Sequence, residues 1–254
     1  MTETAKSSYY PIEFTIGEGK TDYEKYLSTV QLLTLQKPLE ERVSPEELLF
    51  QVTHQTSELW MKQIQWDLDR ILAFLPEQQL WQACRSFRLV NSMLKLLTAG
   101  VDQMGEHLSI QEYQKIRTAL GQGSGMESPG FNRLLAYPTK LWTVFEGVLQ
   151  HRQVDLKDIY RQYEQHPDLH TLAECYMDYD DLFHKWRTHH FDLVMRTIGV
   201  EANSLKGIPT KVLQRAVIER CFPQLLAVRN EITNESGLAY GGDPLDESSE
   251  EPPT

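Results

Sequence analysis

Residues 180–199 read DDLFHKWRTHHFDLVMRTIG. On a helical wheel with about 100° per residue, the apolar side chains of this stretch share one side: Leu182, Phe183, Trp186, Leu193 and Val194. His190 lies near the middle of that side, whereas His189 lies at its edge and His184 lies off it. A histidine on an apolar helix face is either a buried structural residue satisfied by a hydrogen bond or an axial ligand between apolar walls. Both interpretations of His190 stay open on this segment alone.

Helical periodicity extends from this segment over most of the chain. Ser44 has the pattern of an N-cap, with Pro45 in the first turn and Glu47 three residues on, and the helix after it should end near Ala73. Ser109 and Glu112 form a second capping-box pattern. The remaining helices are predicted near 77–104, 109–120, 131–150, 155–164, 170–198 and 209–231, and an N-terminal helical stripe contains Tyr23, Tyr26, Leu27, Val30 and Leu33. The sequence therefore predicts an all-α fold, a bundle of long helices.

The composition indicates a globular protein with polar ends. We expect a flexible segment over residues 1–20, a single all-helical domain over residues 21–235 and a disordered acidic tail over residues 236–254. The 254 residues contain 25 basic and 36 acidic side chains, a net charge of -11, which disfavours binding to nucleic acids and anionic membranes. No run of about 18 apolar residues predicts a membrane span.

The three cysteines, Cys84, Cys175 and Cys221, lie far apart and form no CxxC pair. This pattern predicts neither a disulfide framework nor a thiolate zinc site, and it favours a reducing, cytoplasmic location. The N-terminal residues lack the apolar core of a signal peptide. The chain also lacks an HExxH helix, a P-loop, a GxGxxG turn after a strand and a GxSxG elbow. The pair His166 and His170 is interpreted as incidental because Pro167 places it at a helix start.

Two further groups of residues could carry chemistry. Phe50, His54 and Ser57 fall on one helical face, and His54 is either a buried structural histidine or a residue that hydrogen-bonds a ligand above a cofactor. Tyr113 and Arg117 are one turn apart, with Leu120 continuing their face, just before the loop over residues 121–130. Arg117 is either a solvated surface residue or a residue that binds a carboxylate through two parallel hydrogen bonds.

Several segments, in their order along the chain, resemble the tryptophan 2,3-dioxygenase family. They are DYEKYLSTVQLLTLQ (22–36), THQTSELWMKQ (53–63), YQKIRTALGQGSG (113–125), KWRTHHFDLVMRTIG (185–199) and FPQLLAVRNE (222–231). The most specific of them is THQTSELWMKQ, which is similar to the family's signature around its distal histidine. Together they spread the resemblance over roughly residues 21–231.

The resemblance implies a role for each matching residue. It implies that His190 is the proximal ligand of a non-covalent haem b, with Trp186, Ser124 and Gly125 also at the cofactor. It implies that His54 is the distal histidine and that Arg117 binds the substrate carboxylate. Pocket walls are implied at Phe50, Tyr113 and Leu120, and a homotetramer is implied in which Tyr23 and Tyr26 reach a neighbouring subunit's pocket.

The implied function is a haem-dependent oxygenase that uses O2 on L-tryptophan or a close analogue and yields N-formylkynurenine. One segment departs from the family pattern. After the ligand helix, residues 199–217 read GVEANSLKGIPTKVLQRAV, without the family's Gly-Thr-Gly-Gly-type loop, although Asn203, Ser204 or Thr210 could substitute for its threonine. Two alternatives are therefore kept: a monooxygenase or hydroxylase of a tyrosine-like or substituted indole substrate, and a non-catalytic haem-binding protein.

Overall fold

The computed structural model describes residues 17–121, 123, 125–199 and 217–235. Its α-helices are α1 (Asp22–Leu27), α2 (Thr29–Leu32), α3 (Glu47–Phe74), α4 (Leu80–His107), α5 (Ile110–Ala119), α6 (Pro129–Leu134), α7 (Tyr137–Arg152), α8 (Leu156–Arg161), α9 (Pro167–Ile198) and α10 (Pro223–Glu235). Short 3-10 turns occupy Leu39–Glu41 and Gly125–Glu127. These residues contain no β-strand, so the predicted all-α class is confirmed.

The long helices α3, α4 and α9 form the centre of the bundle, with α4 packed against both of the others. The apolar stripe of each helix is buried in a common core with side chains of α7 and α10. Aromatic rings fill the middle, where Tyr176 of α9 stacks on Phe145 at 4.8 Å and contacts Phe87 and Phe222 at 4.8 and 4.9 Å. Because these rings are fully buried, they hold α9 in one position relative to the rest of the bundle.

The N-terminal stripe is not one helix, which corrects the sequence interpretation. Ser28 has a left-handed backbone with φ 52°, and it ends α1 and precedes α2. Side chains at the breaking point cannot stay on one face, and Tyr23, Tyr26 and Leu33 are exposed by 68%, 78% and 74%. The periodic apolar residues here therefore do not pack into the core of this chain.

The predicted helix over 131–150 is instead two helices, α6 and α7, separated near Leu135. Pro138 explains the break, since it has no N–H to donate to the carbonyl one turn earlier and its ring excludes a continuous helix. Proline is tolerated in the first turn of a helix, which is the position that it occupies in α7.

The predicted helix over 209–231 is confirmed at residues 217–218 and in α10, but it is wrong at residues 219–222, which are not helical. Residues 200–216 lie outside the described part of the chain. The predicted terminal segments over 1–20 and 236–254 are described only at residues 17–20. None of the helices described here is long and apolar enough to cross a membrane.

The predicted N-cap at Ser44 is wrong, because Glu46 is the N-cap of α3, whereas the predicted N-cap at Ser109 is confirmed. The α3 helix begins at Glu47, where the carboxylate accepts a hydrogen bond from the Val43 N–H at 2.7 Å, and Ser44 Oγ accepts one from the Glu46 N–H at 3.1 Å. Ser109 does accept from the Glu112 N–H at 3.3 Å. In a complete capping box the Glu112 carboxylate would accept a hydrogen bond from the Ser109 N–H. Here the Ser109 N–H donates instead to the carboxylate of Glu46, at 2.8 Å.

Replacement of Gly130 by alanine is expected to destabilise the protein by about 1–3 kcal/mol, because the new methyl group would overpack a tight contact. A Cβ at Gly130 would lie 2.6 Å from Glu58 Oε2 and 2.8 Å from Met61 Cβ. Urea unfolding measures the change. The matched control is Gly147→Ala in α7, where a Cβ meets nothing within 4 Å and a gain of about 0.5–1 kcal/mol is expected. Equal effects at both positions would contradict the packing argument.

Candidate functional site

An aromatic surface on α9 surrounds His190. The imidazole stacks against Trp186 with ring centroids 5.8 Å apart and an interplanar angle of 27°. Trp186 in turn stacks on Phe183 at 6.0 Å and contacts Phe131 of α6 at 5.4 Å. The helical wheel predicts His190 on this face with Phe183 and Trp186. Phe131, 55 residues before Trp186, belongs to another helix and could not be assigned by periodicity.

His190 is held as a neutral imidazole. Its surroundings desolvate the ring, and a charge on His54 would repel a second charge, so the pKa of His190 falls to about 4. That electrostatic influence also means that the two imidazoles lie near each other, although they belong to α9 and α3. No residue of the described ranges makes a hydrogen bond to His190. The described residues therefore do not support the interpretation of His190 as a buried histidine satisfied by a hydrogen bond. A neutral imidazole has one unprotonated nitrogen, and the lone pair of that nitrogen can bind a metal.

His54 is fixed in one tautomer by its own helix. Its Nδ1 lies 2.7 Å from the carbonyl oxygen of Phe50, one turn earlier, and only a protonated Nδ1 can donate to that oxygen. Burial lowers the pKa of His54, while the Phe50 carbonyl and the Glu58 carboxylate partly oppose the change. The neutral ring therefore presents an unprotonated Nε2, which accepts a hydrogen bond. The His54 side chain is also exposed, so its Nε2 can be reached by a ligand.

Phe50 connects His54 to the α5 helix. Its ring lies 4.1 Å from the His54 ring and 6.2 Å from that of Tyr113. Burial raises the pKa of Tyr113, and the positive charge of Arg117 opposes this shift, which places the guanidinium near the phenol. The structure thus brings together Phe50, His54, Tyr113 and Arg117, with an acceptor nitrogen at one end and a cation at the other.

The other predicted site residues make no described contact with His54 or His190. Leu120 caps the end of α5 and is 41% exposed, and Gly125 begins a 3-10 turn. Tyr23 and Tyr26 lie on the exposed α1 helix and make no ring contact with the site residues. Ser124 lies outside the described residues, as do Asn203, Ser204 and Thr210.

Sequence reasoning missed three residues around the site. Glu58, one turn after His54, accepts hydrogen bonds from the Ser128 hydroxyl and the Gly130 N–H. Glu46 accepts a hydrogen bond from the Ser109 N–H. The spacing of Glu58 from His54 was the only local signal for such a role. Asp102 of α4 lies 2.6 Å from Nδ1 of His189, next to His190, and no local pattern pointed to this pair.

The residues present fit a haem. A haem held by a histidine needs a neutral imidazole beside a flat apolar surface, and His190 stacked on Trp186 provides both. The buried indole N–H of Trp186 has no acceptor among the described residues, which suits a donor that a bound polar group would satisfy. Within the described ranges no three His, Cys, Asp or Glu side chains converge as a metal cluster.

Comparison with known proteins assigns the chain to a family. Residues 13–138 match the family model of tryptophan 2,3-dioxygenase. The tryptophan 2,3-dioxygenase of Xanthomonas oryzae pv. oryzae is 27% identical over 274 aligned residues, which cover 88% of this chain and 92% of that protein. The chain belongs to the tryptophan 2,3-dioxygenase family. Its relatives in Xanthomonas campestris pv. campestris and Rhodococcus jostii are each 26% identical, over 85% and 84% of this chain and 89% and 92% of the relatives.

Membership of the tryptophan 2,3-dioxygenase family makes the chain an oxidoreductase. The identities are low, so the chain is a divergent member of that family. The divergence is visible in residues 199–217, which lack the glycine-rich loop motif.

A separate open depression of about 490 Å³ lies on another face, lined by residues that include Trp142, Glu146 and Gln224. None of the predicted site residues lines it. The indole N–H of Trp142 already donates to Glu146 at 2.7 Å, so its principal polar group is satisfied within the protein.

The stability of the haem-free protein is expected to fall as the pH is lowered from about 6.5 to about 4. In this interval the unfolded chain protonates His190 while the folded chain, with a pKa of about 4, does not. His190→Asn removes this contribution, at most about 3 kcal/mol because the ring is partly accessible. Urea unfolding of both proteins at several pH values provides the measurement. Parallel pH profiles of the two proteins would contradict the burial of a neutral His190.

Proposed function

We propose that this chain is a haem-dependent dioxygenase that inserts O2 into the indole ring of L-tryptophan or a close analogue. The observation that carries the proposal is the convergence of three helices on one site. A neutral histidine among aromatic rings lies on α9, a histidine with an acceptor nitrogen lies on α3, and an arginine lies on α5. For tryptophan, both oxygen atoms enter across the C2–C3 bond and the product is N-formylkynurenine.

In this proposal the unprotonated nitrogen of His190 would hold the iron of haem b, and the neighbouring rings would exclude water from that nitrogen. When bound, the haem supplies the activation of molecular oxygen. The pKa of about 4 leaves His190 unprotonated at neutral pH, so proton competition for the ligand nitrogen is weak. Trp186 presents a flat ring next to the ligand, and its N–H is available to a polar group of the cofactor.

His54 and Arg117 orient the substrate at its two ends. The unprotonated Nε2 of His54 accepts a hydrogen bond from the indole N–H, because Nδ1 is committed to the Phe50 carbonyl. The guanidinium of Arg117 binds the carboxylate through parallel hydrogen bonds. Phe50 and Tyr113 occupy the space between these polar ends, where the apolar part of the substrate would contact their rings. Holding both ends makes the reaction effectively unimolecular.

The test follows absorbance of the purified, haem-reconstituted and reduced protein when L-tryptophan and then oxygen are added. A Soret band with repeated formation of N-formylkynurenine is the expected result. A folded protein without a Soret band would overturn the haem site, and His190 would then be a core histidine. Haem binding with no product from any aromatic amino acid would favour a non-catalytic haem-binding protein.

A hydroxylase of a tyrosine-like or substituted indole substrate is the second candidate. It is favoured by the missing Gly-Thr-Gly-Gly motif in residues 199–217, since fewer glycines prevent close approach of the backbone to a substrate. Turnover in ¹⁸O2 separates the two reactions. Two labelled atoms in the initial product would exclude the hydroxylase, and one labelled atom would exclude the dioxygenase.

We further propose that copies of this chain form a homotetramer in which α1 and α2 contact a neighbouring copy. The support is the exposure of large apolar side chains on this arm, which a separate chain would leave in water: Tyr23, Tyr26, Leu27, Val30, Leu32, Leu33 and Leu35. Light scattering after gel filtration measures the mass. The double change Tyr26→Ser, Leu33→Ser is expected to lower it, and an unchanged mass would contradict the assignment of this arm to the interface.

A further inference from the structure

We propose that Glu46 and Glu58 are positioning residues that anchor the two ends of the segment 109–130 to α3 and so set the distance between Arg117 and His54. This segment contains α5 and the glycine-rich loop. The inference rests on the proposed function for its effect on substrate preference. The anchoring itself is a property of the protein alone and can be tested without substrate.

The first anchor holds the start of α5. Glu46, at the N-cap of α3, accepts hydrogen bonds from the Ser109 N–H at 2.8 Å and the Ser109 hydroxyl at 3.3 Å. Ser109 in turn caps α5 by accepting from the Glu112 N–H. The Ser44 hydroxyl, which is buried at the start of α3, lies close enough to the Glu112 carboxylate to help lower the pKa of that group. The N-terminus of the helix that carries Arg117 is therefore fixed to the N-terminus of the helix that carries His54.

The second anchor holds the end of the glycine-rich loop. Glu58 accepts the Ser128 hydroxyl on Oε1 at 2.5 Å and the Gly130 N–H on Oε2 at 2.9 Å. Ser128 is the N-cap of α6 and accepts from the Phe131 N–H at 3.1 Å. The lack of a side chain at Gly130 is what allows this close approach, since a Cβ there would meet the carboxylate and Met61. Both oxygens of Glu58 are thus used to fix one short piece of backbone.

The two anchors lie on either side of the site along α3. Glu46 and Glu58 are 12 residues apart, about 18 Å along a helix, with Phe50 and His54 between them at intervals of four residues. The segment that they hold carries Tyr113 and Arg117 and returns to α3 at Gly130. Local hydrogen bonds within α5 cannot determine how far this helix stands from α3. The two carboxylates supply that restraint, because each bonds to a serine that starts a helix.

Such a restraint selects substrates by the distance between their ring N–H and their carboxylate. The distance from the acceptor nitrogen of His54 to the guanidinium of Arg117 must match the distance from ring N–H to carboxylate in the substrate. Loss of an anchor therefore weakens binding of a ligand that uses both groups, and has little effect on a ligand that lacks the carboxylate. L-Tryptophan and tryptamine are the two probes, since they differ only in that group.

The experiment compares Glu46→Ala, Glu58→Ala and the double variant with wild type in the full-length, haem-reconstituted protein. The matched control is Glu77→Ala, at an exposed glutamate beyond the end of α3 with no described partner. Glu46→Gln and Glu58→Gln are the rescue variants, because an amide oxygen still accepts the backbone N–H. Urea unfolding verifies that each variant is folded.

Amide hydrogen exchange is the readout that does not depend on function. The Ser109 and Gly130 amides donate directly to the two carboxylates, so they are expected to exchange about tenfold faster in the corresponding alanine variants. Amides of Tyr113 and Arg117 are expected to exchange faster in the double variant. The glutamine variants and Glu77→Ala are expected to remain within about threefold of wild type.

Substrate binding is the second readout. The double variant is expected to raise KM for L-tryptophan about tenfold, with a smaller fall in kcat, and to change the affinity for tryptamine less than about twofold. Unchanged exchange at Ser109 and Gly130 would overturn the anchoring. Faster exchange with an unchanged preference for tryptophan over tryptamine would overturn the role in substrate selection. If wild type binds no tryptophan, the proposed function fails, and exchange at Tyr113 and Arg117 alone then decides the positioning claim.

Discussion

His190→Ala is expected to abolish the Soret band of the haem-reconstituted protein and to reduce turnover below about 1% of wild type. His190 is the one histidine of the site without a hydrogen bond to a described residue, and its pKa of about 4 keeps it available as a ligand at neutral pH. Loss of a residue that merely supports a metal ligand weakens metal binding by about 10–100-fold, so loss of the ligand itself should cost more. Titration with haem, followed by absorbance, measures the affinity.

His151→Ala is the matched control for this experiment. His151 is exposed near the end of α7, has no hydrogen bond to a described residue and lies outside the set of site residues. Its removal is expected to leave both the Soret band and turnover unchanged. Restoration of haem binding to His190→Ala by added imidazole would support direct ligation. A normal Soret band in His190→Ala, by contrast, would assign the ligand to another residue and overturn the haem site proposed for α9.

Arg117→Ala is expected to raise KM for L-tryptophan by about 10- to 150-fold, corresponding to the loss of one charge-assisted interaction of about 1.5–3 kcal/mol. The effect on tryptamine should be less than about threefold, because tryptamine has no carboxylate. The charge of Arg117 acts on Tyr113, one turn away, and the Tyr113 ring lies 6.2 Å from that of Phe50. Steady-state kinetics with both compounds measure this difference.

Arg117→Lys tests whether charge or geometry matters at this position. Lysine keeps the positive charge but lacks the planar pair of donors, so its KM for L-tryptophan should lie between those of wild type and Arg117→Ala. A loss of affinity in Arg117→Ala that is equal for tryptophan and tryptamine would show that the arginine acts only in packing. The carboxylate role would then be wrong, while the haem site would be unaffected.

Much of the fold could be predicted from the sequence because helical periodicity is a local property. The bounds predicted for the helix at 170–198 differ from α9 by three residues at its start, and those at 109–120 differ from α5 by one residue at each end. The failures also have local causes that periodicity does not register. Pro138 divides one predicted helix into α6 and α7, and the left-handed Ser28 divides another into α1 and α2.

The candidate site was predictable only in part. Spacing within a single helix predicts that His190 and Trp186 share one face of α9. It likewise predicts that Phe50 and His54 share one face of α3. Contacts between helices have no such signal. Phe131 joins the aromatic surface of α9 from α6, and Asp102 reaches His189 from α4. The Nδ1 tautomer of His54 likewise depends on a carbonyl whose position only the folded helix specifies.

The sequence by itself determined the class of the fold, the long helices and the faces on which the histidines lie, since a residue's place on a helix depends only on its neighbours within a few turns. The tertiary structure decided which side chains from different helices meet. The capping pattern of Ser109 shows the difference. Glu112 was the predicted partner of the Ser109 N–H, but that donor bonds to Glu46, 63 residues earlier. Packing of α5 against α3 brings this carboxylate closer than the local one, and no spacing rule extends over that length of chain.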